Sequence, residues 1–219
     1  MKSEGIVLSE TDYKETSKIV NLYTPMGKIG VKALGSKRIK NGLLGFTNTG
    51  NTVEFVATDS SLPTLEEYTI LDSIYTRFDD LKTAKALGVV IRILNDLPAD
   101  IDNKRLYPFV KGIVEALGKV NNDKVIAVFL IKILYVYGIA PNLKSCVKCG
   151  STNELSFVPE LGGAVCKDHG LGNIESLKIW NEYYYDKKKL NDYSDTDFNL
   201  LLGEIKAYYN YHLGYRINY

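Results

Sequence analysis

The residues best suited to chemistry lie between positions 146 and 169: Cys146-Val-Lys-Cys149-Gly150 and, further on, Cys166-Lys-Asp-His169-Gly170. They hold all three cysteines of the chain and one of its two histidines. Two pairs, each with two residues between its members, have the spacing of a tetrahedral zinc site: each short turn aims two soft donors at one ion. Gly150 and Gly170 follow the turns, where glycine permits a positive φ. The intervening Leu155-Ser-Phe-Val-Pro-Glu-Leu-Gly-Gly-Ala-Val165 predicts a small hairpin turning at Gly162-Gly163. A redox pair is the rival reading of Cys-x-x-Cys, but it calls for a thioredoxin-like βαβ setting that the flanking sequence lacks. Two small buried apolar residues are the plainer alternative. For the fourth position, Asp168 or water stands as the alternative to His169. Four protein ligands leave no open coordination site, so the expectation is one structural Zn2+ at Cys146, Cys149, Cys166 and His169, serving folding rather than hydrolysis.

A second chemical feature is electrostatic. From Thr16 to Val53 there is no acidic residue, while Lys18, Lys28, Lys32, Lys37, Arg38 and Lys40 give a local +6 in a chain of net charge +1. Lys37, Arg38 and Lys40 lie in a Gly/Ser/Asn loop, suited to following a phosphate backbone. The bland alternative is a solvated strand edge guarded by lysines. Tyr23 and Phe46 are candidates for base stacking, although aromatics in strands more often belong to a core. Tyr183-Tyr-Tyr-Asp-Lys-Lys-Lys189 reads as a solvated loop, with a secondary phosphate contact as the alternative. No phosphate-binding loop, dinucleotide fingerprint, His-Glu-x-x-His or Gly-x-Ser-x-Gly occurs. His212 has no evident acid or nucleophile partner and reads as a hydrogen-bonded histidine at a helix end.

The elements that must carry these residues follow from periodicity. Ile6–Leu8, Lys18–Thr24, Lys28–Leu34, Thr52–Ala57 and Glu67–Asp72 read as strands, with Pro25-Met26-Gly27 as a hairpin turn. Five short strands in about 75 residues suggest a small barrel of the OB type. Beyond Arg77 the apolar spacing turns helical: Leu81 to Leu94, opened by Asp79 and Asp80, then Leu106 to Leu117, then Val125 to Tyr137, apolar nearly all round. Helix resumes over Ile174–Trp180, and Asp195 or Thr196 is expected to cap a last helix running through His212. The expected class is therefore α+β: an N-terminal OB-fold β-barrel over 1–77 and an α-helical domain over 78–219, with a zinc-ribbon-like finger inserted at about 142–172. Apolar residues make up 45% of the chain, an ordinary share for a globular protein. The N-terminus shows no secretory pattern, and the run Val125–Ala140, broken by Lys132, is too short to span a bilayer. Three cysteines outside any disulfide framework fit a reducing compartment, so a cytoplasmic location is expected.

Several stretches taken in order resemble the bacterial DNA repair protein RecO family. Glu4-Gly-Ile-Val-Leu8, Asp12-Tyr13-Lys-Glu-Thr-Ser-Lys-Ile-Val20, Leu22-Tyr-Thr-Pro-Met-Gly-Lys28 and Ala33-Leu-Gly-Ser-Lys-Arg38 are similar to its start. Tyr137-Gly-Ile-Ala-Pro-Asn-Leu143, Phe157 to Cys166 and Tyr211-His-Leu-Gly-Tyr-Arg216 are similar to its middle and end. The resemblance implies a recombination mediator of the RecFOR pathway rather than an enzyme. Such a protein binds single- and double-stranded DNA, anneals complementary strands, works with RecR, and helps load RecA onto DNA coated by single-strand-binding protein. It would be cytoplasmic and nucleoid-associated, with no membrane partner. The resemblance carries the DNA-binding role to Lys28, Lys32, Lys37, Arg38 and Lys40, and the metal role to Cys146, Cys149 and Cys166; many members have cysteine where this chain has His169. Two other classes remain: an RNA-binding OB-plus-ribbon factor, since phosphate contacts do not tell RNA from DNA, and a zinc-dependent nucleic-acid enzyme, for which Glu154, Glu160 and Asp168 are the nearby acids.

Overall fold

Alternating apolar residues build an antiparallel sheet in the first part of the chain. A computed structural model describes residues 1–38, 42–77 and 81–219. The chain divides into two compact units, Met1–Lys119 and Val120–Tyr219. In the first, β1 (Lys2–Tyr13), β2 (Ser17–Thr24), β3 (Gly27–Ala33), β4 (Thr52–Ala57) and β5 (Leu65–Asp72) lie in the order β3-β2-β1-β4-β5. The two edges approach each other: Lys32 bridges Thr64, and its amide donates to the Pro63 carbonyl at 2.8 Å. The sheet thus curls into an OB-like barrel with the cyclic order β1-β2-β3-β5-β4. Val7, Val20, Leu22, Val31, Ala33, Val53, Phe55 and Ala57 fill it, and Phe46 of the short α1 (Leu44–Thr47) closes the core, 6.1 Å from Phe55 ring to ring.

β1 is longer than the expected Ile6–Leu8, and it carries a bulge between Val7 and Ser9. The extra residue lets the strand bend, and three consecutive residues, Ile6, Val7 and Leu8, are all buried. Period-2 reading cannot find such a run. The outside of the barrel is covered where α2 (Leu81–Asn95) touches β1 and α3 (Asn103–Ala116) touches β2. Tyr23 is only 1% exposed and sits 5.9 Å from Tyr107 of α3. Tyr23 and Phe46 are therefore core residues, as expected of aromatics in this setting, and the alternative of base stacking falls away: neither ring has a face open to a ligand. The expected opening of α2 by Asp79 and Asp80 lies outside the described residues.

In the second unit, α4 (Asn122–Ile133) is buried from Lys124 through Ile131, as a helix apolar all round must be. It ends at Ile133, short of the expected Tyr137, in turns leading to Gly138 at φ 69°. Its one deep cation, Lys124, donates to the Tyr193 carbonyl at 2.8 Å and pairs with Asp195 at 2.7 Å. The hairpin β6 (Leu155–Val158) and β7 (Gly163–Cys166) follows, then α5 (Ile174–Tyr185) and α6 (Phe198–Leu213). Asp197, not Asp195 or Thr196, caps α6, accepting from the Asn199 and Leu200 amides at 3.0 and 3.2 Å. Asp195 is instead the partner of Lys124. The tyrosines explain much of the packing. Trp180 lies between Phe157 and Tyr208, and the Tyr208 and Tyr209 hydroxyls donate to the Ile139 and Leu130 carbonyls at 2.8 Å. His212 bonds the Pro159 carbonyl through Nε2 at 2.9 Å, the helix-end role expected of it.

Candidate metal centre and basic edge

The two cysteine turns are set by backbone contacts that bring them over the hairpin. The Gly150 amide donates to the Cys146 carbonyl at 2.8 Å, and the Cys146 amide to the Ser151 carbonyl at 2.7 Å. Gly150 sits at φ 75°, the left-handed conformation expected of it. Gly170 is not at positive φ; its smallness instead admits Val165, whose Cγ2 would lie 3.2 Å from an added Cβ. The first turn is laid on β7 by Val147, whose amide donates to the Ala164 carbonyl at 2.9 Å. Behind it, Asn142 runs beside Gly163, accepting from the Ala164 amide at 2.7 Å and donating to Gly162 at 3.1 Å. The hairpin turns through Pro159–Leu161 with Gly162 left-handed at φ 78°, a longer connection than a bare Gly-Gly turn.

Cys146, Cys149, Cys166 and His169 converge, their ligand atoms all within 4.8 Å of one another. Cys149 Sγ is 3.8 Å from Cys166 Sγ, and His169 Nδ1 lies 3.2 Å from Cys166 Sγ and 3.8 Å from Cys146 Sγ. A tetrahedral zinc ion with the usual bond lengths spaces two sulfurs about 3.8 Å apart and a sulfur and nitrogen about 3.5 Å apart, so the four donors fit one such ion. Three thiolates and an imidazole are a soft set, wrong for magnesium or calcium. Asp168 is not among the converging donors. Cys146 and Cys166 are buried against Val165, with Val147, Leu155, Val158 and Leu161 around them. Burial pushes the Cys146 thiol up, but the surrounding backbone amides, led by that of Cys166, outweigh it and bring it down to about 6. A sulfur cradled by amides is ready to bind as thiolate. At Cys149 the Ser151 backbone lowers the thiol, while burial and the neighbouring sulfurs outweigh it and raise it.

The basic residues are less uniform in space than in sequence. Lys28 is on β3, but its ammonium donates to the Asn95 carbonyl at 2.6 Å and to Leu97 at 3.4 Å, closing the C-terminal end of α2. Lys37 pairs with Asp12 at 2.9 Å, and that hydrogen bond holds the Asp12 carboxyl below its ordinary value. Lys18 pairs with Glu10. A stretch without acids along the chain thus meets acids from β1 across the sheet. Lys32 is half-buried on β3 opposite Ile19, and Arg38 is exposed in the turn after β3, whose Lys37 amide donates to the Thr16 carbonyl at 3.0 Å. Lys40 lies outside the described residues.

Comparisons with known proteins bear on this arrangement. A family model described as "Recombination protein O N terminal" matches residues 1–74, and one described as "Recombination protein O C terminal" matches 79–217. A protein of Alkaliphilus metalliredigens named DNA repair protein RecO is 26% identical over 239 residues, spanning 100% of this chain and 96% of its own. Proteins of the same name from Bacillus pumilus and Halalkalibacterium halodurans are 31% and 32% identical, over 77% and 76% of this chain and 68% and 67% of theirs.

Proposed function

The chain belongs to the recombination protein O family, whose members share a role in DNA repair, and from that premise we propose that it binds DNA along the β3 edge of its barrel and anneals complementary strands. Annealing requires two polyanions to approach, so the protein must neutralise backbone charge on both. The observation that supports the reading is an OB-like sheet whose edge strand β3 carries Lys32 and leads directly into Lys37 and Arg38. Lys40 extends the same run in sequence. Lys37 would exchange Asp12 for a phosphate, an exchange made cheap by the exposure of Asp12. Lys28 is already bound to helix carbonyls and contributes little to phosphate contact.

In the second unit Cys146, Cys149, Cys166 and His169 would hold Zn2+. When bound, the ion supplies a crosslink between the two turns and no open position for catalysis. The residues around it shape the hairpin and the start of α5, a surface suited to protein contacts. The reading extends to RecR and single-strand-binding protein as partners, with loading of RecA onto coated DNA as the outcome, acting in the bacterial cytoplasm at the nucleoid. No helix among the described residues is long and apolar enough to cross a membrane.

Salt dependence of binding tests the edge. Four phosphates neutralised by Lys32, Lys37, Arg38 and Lys40 give a slope of log K against log salt of about −2.8 for single strands, and each cation removed lowers its magnitude by about 0.7. Changing Arg38 and Lys40 to Ala is expected to halve that slope and slow annealing of two complementary fluorescent oligonucleotides. Changing Lys28 to Ala is expected to leave the slope unaltered and to weaken the fold modestly. An unchanged slope in the Arg38/Lys40 variant would remove the β3 edge as the binding site.

A further inference from the structure

The second unit carries rings that its core leaves wholly or partly uncovered. Tyr135, in the turns after α4, is 68% exposed, and Tyr185, the last residue of α5, is 43% exposed. Tyr184 is half-buried beside Tyr185. Its ring centroid is 4.9 Å from that of Tyr185, nearly perpendicular to it, and burial, Tyr185 and Tyr135 together raise its phenol above the ordinary value. The segment Tyr183–Tyr185 is thus helix, not loop, and helical rotation separates its members. Tyr183 is fully buried, its hydroxyl donating to the Ser194 carbonyl at 2.8 Å, while Tyr184 is half-buried and Tyr185 turns outward.

Two of these rings are held in place and flanked by charge. Lys132 donates to the Tyr184 carbonyl at 3.0 Å and to the Asp186 carbonyl, so the end of α5 is fastened from beneath. Lys144 places its ammonium 4.7 Å from the centroid of the Tyr185 ring, a cation over a π face. Its own backbone is fixed by a 3.2 Å bond from its amide to Asn142 Oδ1. Lys187 and Lys189 are exposed just past the helix. The nearby acids, Glu182 and Asp186, are both committed to Lys188, at 3.1 and 3.2 Å. What remains is partly exposed aromatic surface bordered by Lys144, Lys187 and Lys189, which form no salt bridge among the described residues, with the exposed Asp192 the next acid along the chain.

We propose that Tyr135, Tyr184 and Tyr185, with Lys144, Lys187 and Lys189, form a stacking surface for single-stranded nucleic acid. The chemistry selects this occupant. Flat, partly exposed rings match the faces of unpaired bases, the cations match phosphates, and a duplex conceals its base faces. An acidic peptide shares the charge but has no repeating flat group to occupy the rings. The inference rests on the reading of this chain as an annealing protein and adds to it: with one strand on the barrel edge, a surface in the other unit supplies a place for the second.

The test uses the full chain and a single-stranded thymine oligonucleotide containing 5-bromodeoxyuridine. Irradiation followed by peptide mapping is expected to give crosslinks at Tyr135 or Tyr185. Changing Tyr135 and Tyr185 together to Ala is expected to weaken binding at least fivefold for each stacked base lost. The corresponding Phe pair keeps the rings and is expected to bind within twofold of the unaltered protein. An oligonucleotide of abasic sugars is expected to bind both forms alike. Unchanged affinity in the Ala pair, an equal loss toward the abasic strand, crosslinks confined to residues 1–119, or displacement from the rings by polyglutamate but not by oligonucleotide would each overturn the proposal. Crosslinks at the tyrosines in a protein that fails to anneal sustain this surface and sink the annealing reading. Normal annealing by a protein whose Ala pair binds as before does the reverse.

Discussion

At the scale of single residues, chemistry and placement part company. Lys28 and Lys37 look alike in the sequence, yet one closes a helix and the other faces a solvated aspartate. No spacing rule separates them, because the difference is made by Asn95 and Asp12, distant in sequence and brought in by the sheet and by α2. Glu204 is a further case that nothing in its neighbourhood along the chain marks. Its carboxylate accepts from Ser176 Oγ and from Trp180 Nε1, the latter at 2.9 Å. Burial raises it above its ordinary 4.5; the two hydrogen bonds pull the other way and lose, and Glu160 adds to the rise. A raised carboxyl means that the folded state binds the proton more tightly than the unfolded state. Stability is therefore greatest below pH 4.5 as far as this group is concerned and falls as pH rises through the folded value. Glu204→Gln keeps one acceptor for Trp180 and offers its amide to the Ser176 hydroxyl. The expected result is a protein at least as stable at neutral pH, whose melting temperature lacks the decline expected of the parent as pH rises above 4.5. Thermal melts of both proteins from pH 4 to 8 check this, and parallel curves would show that Glu204 does not carry the dependence.

Elements were legible where each residue's partner is close in sequence or its pattern is regular. The five strands, the all-apolar helix α4 and the four converging ligands follow from alternation, from the width of an apolar face and from the two-residue spacing of donors. The β1 bulge, the end of α4 at Ile133 and the cap at Asp197 were not legible. Each is settled by tertiary contacts: covering helices outside the barrel, turns leading into the finger, and the capture of Asp195 by Lys124. Gly163 shows the same division. It reads as a turn residue, but its hydrogen atoms make room for Asn142, whose carbonyl oxygen would lie 2.2 Å from an added Cβ. The backbone cannot yield there without giving up the bond from the Ala164 amide to the Asn142 carbonyl that seats β7. Gly163→Ala is expected to cost about 1–3 kcal/mol, the range for overpacking, and to loosen metal retention with it. Gly203→Ala, in α6 with nothing within 4 Å of the added Cβ, is expected to raise stability by about 0.5–1 kcal/mol. Urea titrations of the two variants, with metal content measured alongside, separate close approach from a general intolerance of glycine replacement.

For the whole molecule, the division into two units predicts where metal loss is felt. All four ligands lie in Val120–Tyr219, and the apolar residues packed on them belong to the hairpin and its approaches. The hairpin is joined to α5 by backbone bonds in both directions between Phe157 and Asn173, at 3.0 and 3.1 Å, and by the Phe157–Trp180 ring contact at 4.5 Å. An ion held by the four donors would crosslink the two turns; without it only hydrogen bonding among the thiols, with Cys146 lowered and Cys149 raised, would link the sulfurs. The two turns then lose their crosslink, and the four-residue strands β6 and β7 are too short to hold alone. The barrel has no ligand in the cluster and fills its own interior. Chelation is therefore expected to raise amide exchange in Cys146–His169 first and in α5 next, while amides of β1, β2 and β4 keep their protection. Exchange that rises equally in both units would mean that the fold melts as one body. Exchange unchanged in the hairpin would mean that backbone bonds to Asn142 and Asn173, rather than a metal, hold the finger together.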